Sequence, residues 1–224
     1  MALLTEADHR RVSDAVGEAE RRSSGEIVTV LAERSDGYSD IALAWAALAA
    51  FTLLTLLAFV PHWPLDAYAG LHGSWNAEWP DGEIFAMAAG IGILTFLIVW
   101  LLQLNDAVRF ALVPGRVKTA RVEDRAIALF RVGAERRTHG RTGIMIYLSM
   151  DEHRAEIVAD RAIAEKVDDH VWGDAMAAML VELKQGNIAA GMIAAIERVG
   201  VVLAEHFPRE EDDVNELPDR LIEI

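Results

Sequence analysis

The chain has 224 residues, of which 53% are hydrophobic and 25% charged, with a net charge of −14 and a mean hydropathy of +0.20. So negative a balance works against broad nucleic-acid binding, which needs a basic face for phosphates. With no cysteine, disulfides, thiolate metal sites and a cysteine nucleophile are excluded. High hydropathy alongside many charges implies that apolar and charged residues are segregated along the chain.

The first residues, MALLTEADHRRVSDAV, lack a basic start followed by an apolar core, so no cleaved signal peptide is expected. Thr5 and Asp8 have capping-box spacing and predict a helix running towards Arg22, with Leu4, Val12, Val16 and Ala19 as its apolar stripe. Glu26 to Ala32 reads as a strand apolar on both faces, and so as a buried one. Within ten residues the chain loses all charge. Residues 41–60 and 84–104 are uncharged runs of 20 and 21 residues, each long enough at about 1.5 Å per residue to cross a bilayer core of roughly 30 Å.

Between them, residues 61–83 hold Asp66, Glu78, Asp81 and Glu83 but no Lys or Arg, whereas Arg10, Arg11, Arg21, Arg22 and Arg34 precede the first run and Arg109, Arg116, Lys118, Arg121 and Arg125 follow the second. The positive-inside rule then places both termini in the cytoplasm and the loop outside. Trp63, Tyr68, Trp75 and Trp79 suit the headgroup layer as an aromatic belt. Gly90 and Gly92 permit close helix approach.

Residues 1–40 and 105–208 would thus share one compartment as a split cytoplasmic domain, interrupted by the transmembrane hairpin 41–104. Arg121 to Arg137 is helical by its spacing, HGRTG (139–143) is a loop, and Ile144–Met150 and Ala155–Asp160 form a hairpin about the polar turn DEHR. Two helices follow, the first stopped by Gly186 and the second before Pro208. Trp172, Met176, Met179, Leu180 and Leu183 read as the core stripe of the first, and Ile188, Met192, Ala195, Val199, Val202 and Leu203 as that of the second. Residues 209–224 hold seven acids against two arginines and read as an exposed acidic tail. A helical crossover between the first two strands favours a parallel pair. With the hairpin, this gives an α/β class with a small mixed sheet.

One end of that sheet gathers Ser24, Glu26, His139, Arg141, Thr142, Asp160 and Arg161, with Asp168 and Asp169 on the next segment. Glu26, Asp160 and Asp168 are the candidate metal ligands. Carboxylates converging at strand ends suit a hard cation such as Ca²⁺ or Mg²⁺, which takes six or more oxygens. The plainer reading is a rim of ion pairs in which Glu26 and Asp160 face Arg141 and Arg161, each worth about 0–1 kcal/mol. DDHVWGD (168–174) reads as helix-capping residues and SDGYSD (35–40) as the turn into the hairpin. There is no Walker motif, HExxH, GxSxG or dinucleotide fingerprint, and no catalytic residue is assigned.

GEIVTVLAERSDGYSDIA, RTGIMIYLSMDEHRAEIVADRAI, HFP and NELPD, in that order, resemble the TPM-domain family, most closely its bacterial integral-membrane branch. The resemblance spans roughly residues 22–219 around the apolar runs. It implies a three-layer α/β sandwich on a mixed sheet, acid phosphatase activity as in a thylakoid member, accessory roles beside membrane proteins, and divalent-cation binding in some members. Asp160 and Ala162 stand where family members commonly carry glycine. The expectation is a membrane-anchored accessory or scaffold protein that presents its module to another membrane or envelope-stress protein. The alternative is a divalent-cation-dependent phosphatase. Expected partners are the lipid bilayer and another membrane protein, with self-association left open.

Overall fold

The computed structural model describes residues 3–59, 67, 70, 80–133, 142–168, 170–209 and 219–224. The chain divides into two compact units, one made of Met1–Asp36 with Gly115–Ile224, the other of Gly37–Pro114. The aromatics Trp63, Tyr68, Trp75 and Trp79, together with His139, Arg141 and Asp169, lie outside the described residues.

In the first unit, α1 (Glu6–Glu20) begins with the capping box its sequence predicts: the Asp8 N–H donates to Thr5 Oγ1, and the Thr5 N–H to the Asp8 carboxylate. Its buried stripe is Val12, Val16 and Ala19, and each such valine contributes roughly 1.5–3 kcal/mol by leaving water. β1 (Glu26–Ala32) pairs in parallel with β2 (Gly143–Ser149), which pairs antiparallel with β3 (Arg154–Ala159). The hairpin turn closes with His153 at φ 52, the left-handed position that finishes such loops.

Alternation along the strands separates two apolar layers. Ile27, Leu31, Ile144, Ile146 and Leu148 face α1, α7 (Val171–Leu183) and α8 (Ile188–His206); Val30, Ala32, Met145 and Tyr147 face α5 (Gly115–Gly133) through Val122, Ala126 and Phe130. The result is three layers, with helices on both faces of a mixed sheet. A short α6 (Arg161–Ala164) follows β3 directly. Gly186, at φ +83, turns the chain between α7 and α8, a conformation glycine adopts without strain.

Two readings change. The end of the chain is not wholly an exposed tail: β4 (Leu221–Glu223) lies parallel to β1, so the sheet has the order β3-β2-β1-β4, and Leu221 is buried. In α7 the buried face is Trp172, Ala175 and Met179, while Leu180 is half exposed. α8 packs closely against the far end of this face: a Cβ on Gly191 would come within 3.1 Å of the Met179 carbonyl oxygen.

The second unit holds α2 (Ser39–Phe59), α3 (Asp81–Leu102) and the short α4 (Asp106–Leu112). Ala42, Ala46 and Ala50 form the buried seam of α2, and Gly92 of α3 meets Leu54. Because Gln103 Nε2 donates to the Ala42 carbonyl at 3.0 Å while Gly92 meets Leu54, the two helices run antiparallel as a hairpin. Small residues at the seam let the backbones approach. The outer faces are apolar, with Phe51 69%, Phe85 73% and Phe59 79% exposed. Asn105 caps α4 by accepting from the N–H groups of Ala107 and Val108.

Candidate functional site

The two ends of the parallel pair carry different polar chemistry. At the amino end, the Thr142 hydroxyl donates to the Ser24 carbonyl at 2.8 Å, and the Glu26 N–H donates to the Thr142 carbonyl at 3.1 Å. The Asp160 N–H donates to the Gly143 carbonyl at 2.8 Å. Glu26 also aligns with Gly143. The two candidate carboxylates therefore begin β1 and follow β3 on either side of the same glycine of β2. By strand alternation they share the face of Val28, Met145 and Val158, about two strand spacings (~10 Å) apart. Both are buried, Glu26 at 5% and Asp160 at 4% exposure.

The third candidate is not drawn in. The Asp168 side chain is 87% exposed, with His170 Nδ1 at 3.9 Å. Arg161 pairs with Glu165 one helical turn on, at 2.6 Å. Among the described residues no group of three or more His, Asp or Glu side chains converges as a metal centre. Glu26 and Asp160 supply two carboxylates towards a hard cation's six or more oxygens, and no full shell is assembled from the described residues.

The carboxyl end holds a buried network that sequence reasoning did not find. Ser35, just past β1, is hydrogen-bonded to Tyr147 Oη at 2.9 Å, and donates to Ser149 Oγ at 2.8 Å. Ser149 donates in turn to Glu152, which also accepts the Ser35 N–H at 3.2 Å. Burial pushes the Tyr147 phenol pKa upwards, against the lowering effect of its hydroxyl partners. Arg34 to Asp151 at 2.9 Å and Arg121 to Asp36 at 3.1 Å rim the network. Ligands of open α/β sheets bind at this end of parallel strands. Here, however, the hydroxyls and the carboxylate satisfy one another, so the arrangement ties the exit of β1 to the β2–β3 turn. A signal for it was legible: Tyr147 and Ser149 bring polar atoms, two residues apart, into a strand buried on both faces, and such atoms need partners.

A third acidic contact lies behind β1. Glu20 at the end of α1 accepts the Ile27 N–H at 2.8 Å and is buried beside Glu26 and Asp219. Desolvation, reinforced by those two charges, pushes its carboxyl pKa up to about 9 despite the Ile27 bond.

Compared with known proteins, residues 105–202 match the family model of the TPM domain. The NMR structure of BA42 protein from the psychrophilic bacterium Bizionia argentinensis aligns with a TM-score of 0.57 at 20% identity, over 100% of this chain and 97% of that one. At that identity the likeness speaks for the fold. No curated protein matches the chain. The matched range takes in β2, β3, α7 and most of α8, while β1 and β4 complete the sheet from outside it.

Proposed function

Since the chain carries a TPM domain, we propose that it is a membrane-anchored accessory protein, whose α2–α3 hairpin crosses the bacterial inner membrane and whose α/β unit is presented on the cytoplasmic side to another membrane or envelope-stress protein. The observation that carries this reading is the outer face of α2 and α3. They are 21 and 22 residues long, with hydropathies of 2.2 and 2.5 over windows only 17% and 0% buried. In water such a face would be a severe aggregation liability, whereas in lipid it is the expected surface. The arginine-rich flanks and the acidic loop support the cytoplasmic side.

The chain has no cysteine, so single cysteines can report topology. In membranes from the producing cell, Asp14→Cys and Glu182→Cys should be protected from an impermeant maleimide that labels Asn76→Cys. Labelling of all three alike from outside would overturn the topology. The accessory role predicts that in-membrane crosslinking returns one partner in fixed stoichiometry. Recovery of only bulk membrane proteins would count against it.

A divalent-cation-dependent phosphatase is the second reading, favoured by the buried Glu26 and Asp160 either side of Gly143. It requires phosphate release by the purified protein that EDTA abolishes and that Glu26→Ala or Asp160→Ala strongly reduces. Release surviving both substitutions removes this site.

A further inference from the structure

The last strand is seated in a groove with three separate points of recognition. Leu221, Ile222 and Glu223 align with Thr29, Val30 and Leu31 of β1. The ladder is extended by Ile224, which donates to the Leu31 carbonyl at 3.0 Å and accepts from the Glu33 N–H at 2.9 Å. Leu221 is buried in the layer beneath α1 and α8. The Glu223 carboxylate is clamped at the start of α1 by the Leu3 N–H at 3.2 Å, the Leu4 N–H at 3.1 Å and His9 Nε2 at 2.9 Å. Two backbone N–H groups and an imidazole aimed at one carboxylate select for an acid at that position.

The occupant is nonetheless held by little. Only three residues pair as a strand, and Ile222 and Ile224 are partly exposed. Short terminal elements with one buried side chain open at the low end of the local stability range. The ten residue steps from Arg209 to Asp219 can extend to roughly 33–36 Å, enough to hand the strand to a neighbouring molecule. Every copy carries both the groove and the one segment known to fit it, so exchange closes symmetrically, with two identical seats.

We propose that the edge of β1 on which β4 sits is a strand-docking site that reads an extended Leu-x-Glu segment in parallel register, and that its ligand in trans is the C-terminal strand of a second copy, giving a strand-exchanged dimer. This inference is independent of the membrane reading. It differs from packing between apolar helices, because a short peptide should compete with it.

The absence of cysteine makes the test clean. Full-length Val30→Cys and Ile222→Cys proteins, mixed in mild detergent and oxidised, should give a disulfide-linked heterodimer well above either protein alone, and Glu223→Lys on the Ile222→Cys partner should suppress it at least tenfold. A mixture giving no heterodimer, or one indifferent to Glu223→Lys, overturns the proposal. The unmodified chain provides a second measurement: native mass spectrometry at rising concentration should show a dimer that excess synthetic LPDRLIEI dissolves. Monomer at every concentration, or a dimer that persists under excess peptide, overturns it equally.

Discussion

Glu20 reaches across the connection between α1 and β1 and accepts the Ile27 N–H at 2.8 Å from a buried position. The bond fixes where β1 starts, and it does so with a side chain that keeps its proton at neutral pH. In the unfolded chain this carboxyl titrates in the usual range near 4.5, and in the folded one at about 9. Between those values the native state holds a proton that the unfolded state has released. Stability is therefore full below about pH 4.5 and declines as pH rises towards 9. Glu20→Gln keeps an acceptor for Ile27 and a donor for Asp219 without a titrating group. At about 1.4 kcal/mol per unit of pKa difference, the variant is expected to match the parent at pH 4 and exceed it by more than about 1 kcal/mol at pH 8. Denaturant midpoints at the two pH values check this. Equal pH slopes would refute it.

The network at the other end of β1 should respond asymmetrically to its members. Glu152→Ala leaves the Ser35 N–H and the buried Ser149 hydroxyl without their acceptor. An abandoned buried donor costs about 1–3 kcal/mol, so Glu152→Ala should destabilise by that order. Ser149→Ala removes a donor to Glu152 and the acceptor of the Ser35 hydroxyl, but Ser35 keeps Tyr147 Oη as a partner and Glu152 still accepts the Ser35 N–H, so its cost should be smaller. The comparison is a pair of thermal unfolding curves in detergent, and a larger loss for Ser149→Ala would contradict the network's assignment.

Gly200 marks the closest approach of α8 to α1. A Cβ there would lie 2.7 Å from Ala19 Cβ, which no rotamer change can relieve because Ala19 has none. Overpacking of this kind costs typically about 1–3 kcal/mol, outweighing the gain of about 1 kcal/mol that alanine offers a helix over glycine. Gly200→Ala should lower Tm. The control is Gly173→Ala, with nothing within 4 Å of the added carbon, which should be neutral or mildly stabilising.

What the sequence disclosed follows from the range of the forces involved. The Thr5–Asp8 capping box, the Val12–Val16–Ala19 stripe and the strand bounded by Glu26 and Ala32 are local patterns, and the fold class followed from them and from the family resemblance. β4 was not legible. Three residues are too few for a periodicity, they follow an acid-rich run, and the partner that makes them a strand lies at the opposite end of the chain. The half-exposed Leu180 shows the same limit in a helix: Trp172 and Met179 mark the buried face at the right spacing, but whether its edge takes in Ala175 or Leu180 is set by the elements packed against it. At the candidate site, the adjacency of Glu26 and Asp160 could be inferred from strand order. The exposure of Asp168 could not, because it depends on how α6 leads the chain away after β3.

Phe51 offers the sharpest discrimination for the hairpin. It is 69% exposed on α2, one residue past Ala50 of the buried seam. If α2 lay in water, replacing this phenylalanine by lysine would remove an apolar patch and improve solubility at little cost to the fold. If α2 crosses a bilayer, the same change places a charge near the helix centre, at roughly 2.5–3.5 kcal/mol on insertion scales. Phe51→Lys is therefore expected to reduce the carbonate-resistant membrane fraction markedly. Asp40→Lys, at the end of the same helix where a long side chain can reach the interface, should leave that fraction nearly unchanged. Loss of integration in both variants would point to a folding defect, and loss in neither would take the hairpin out of the membrane.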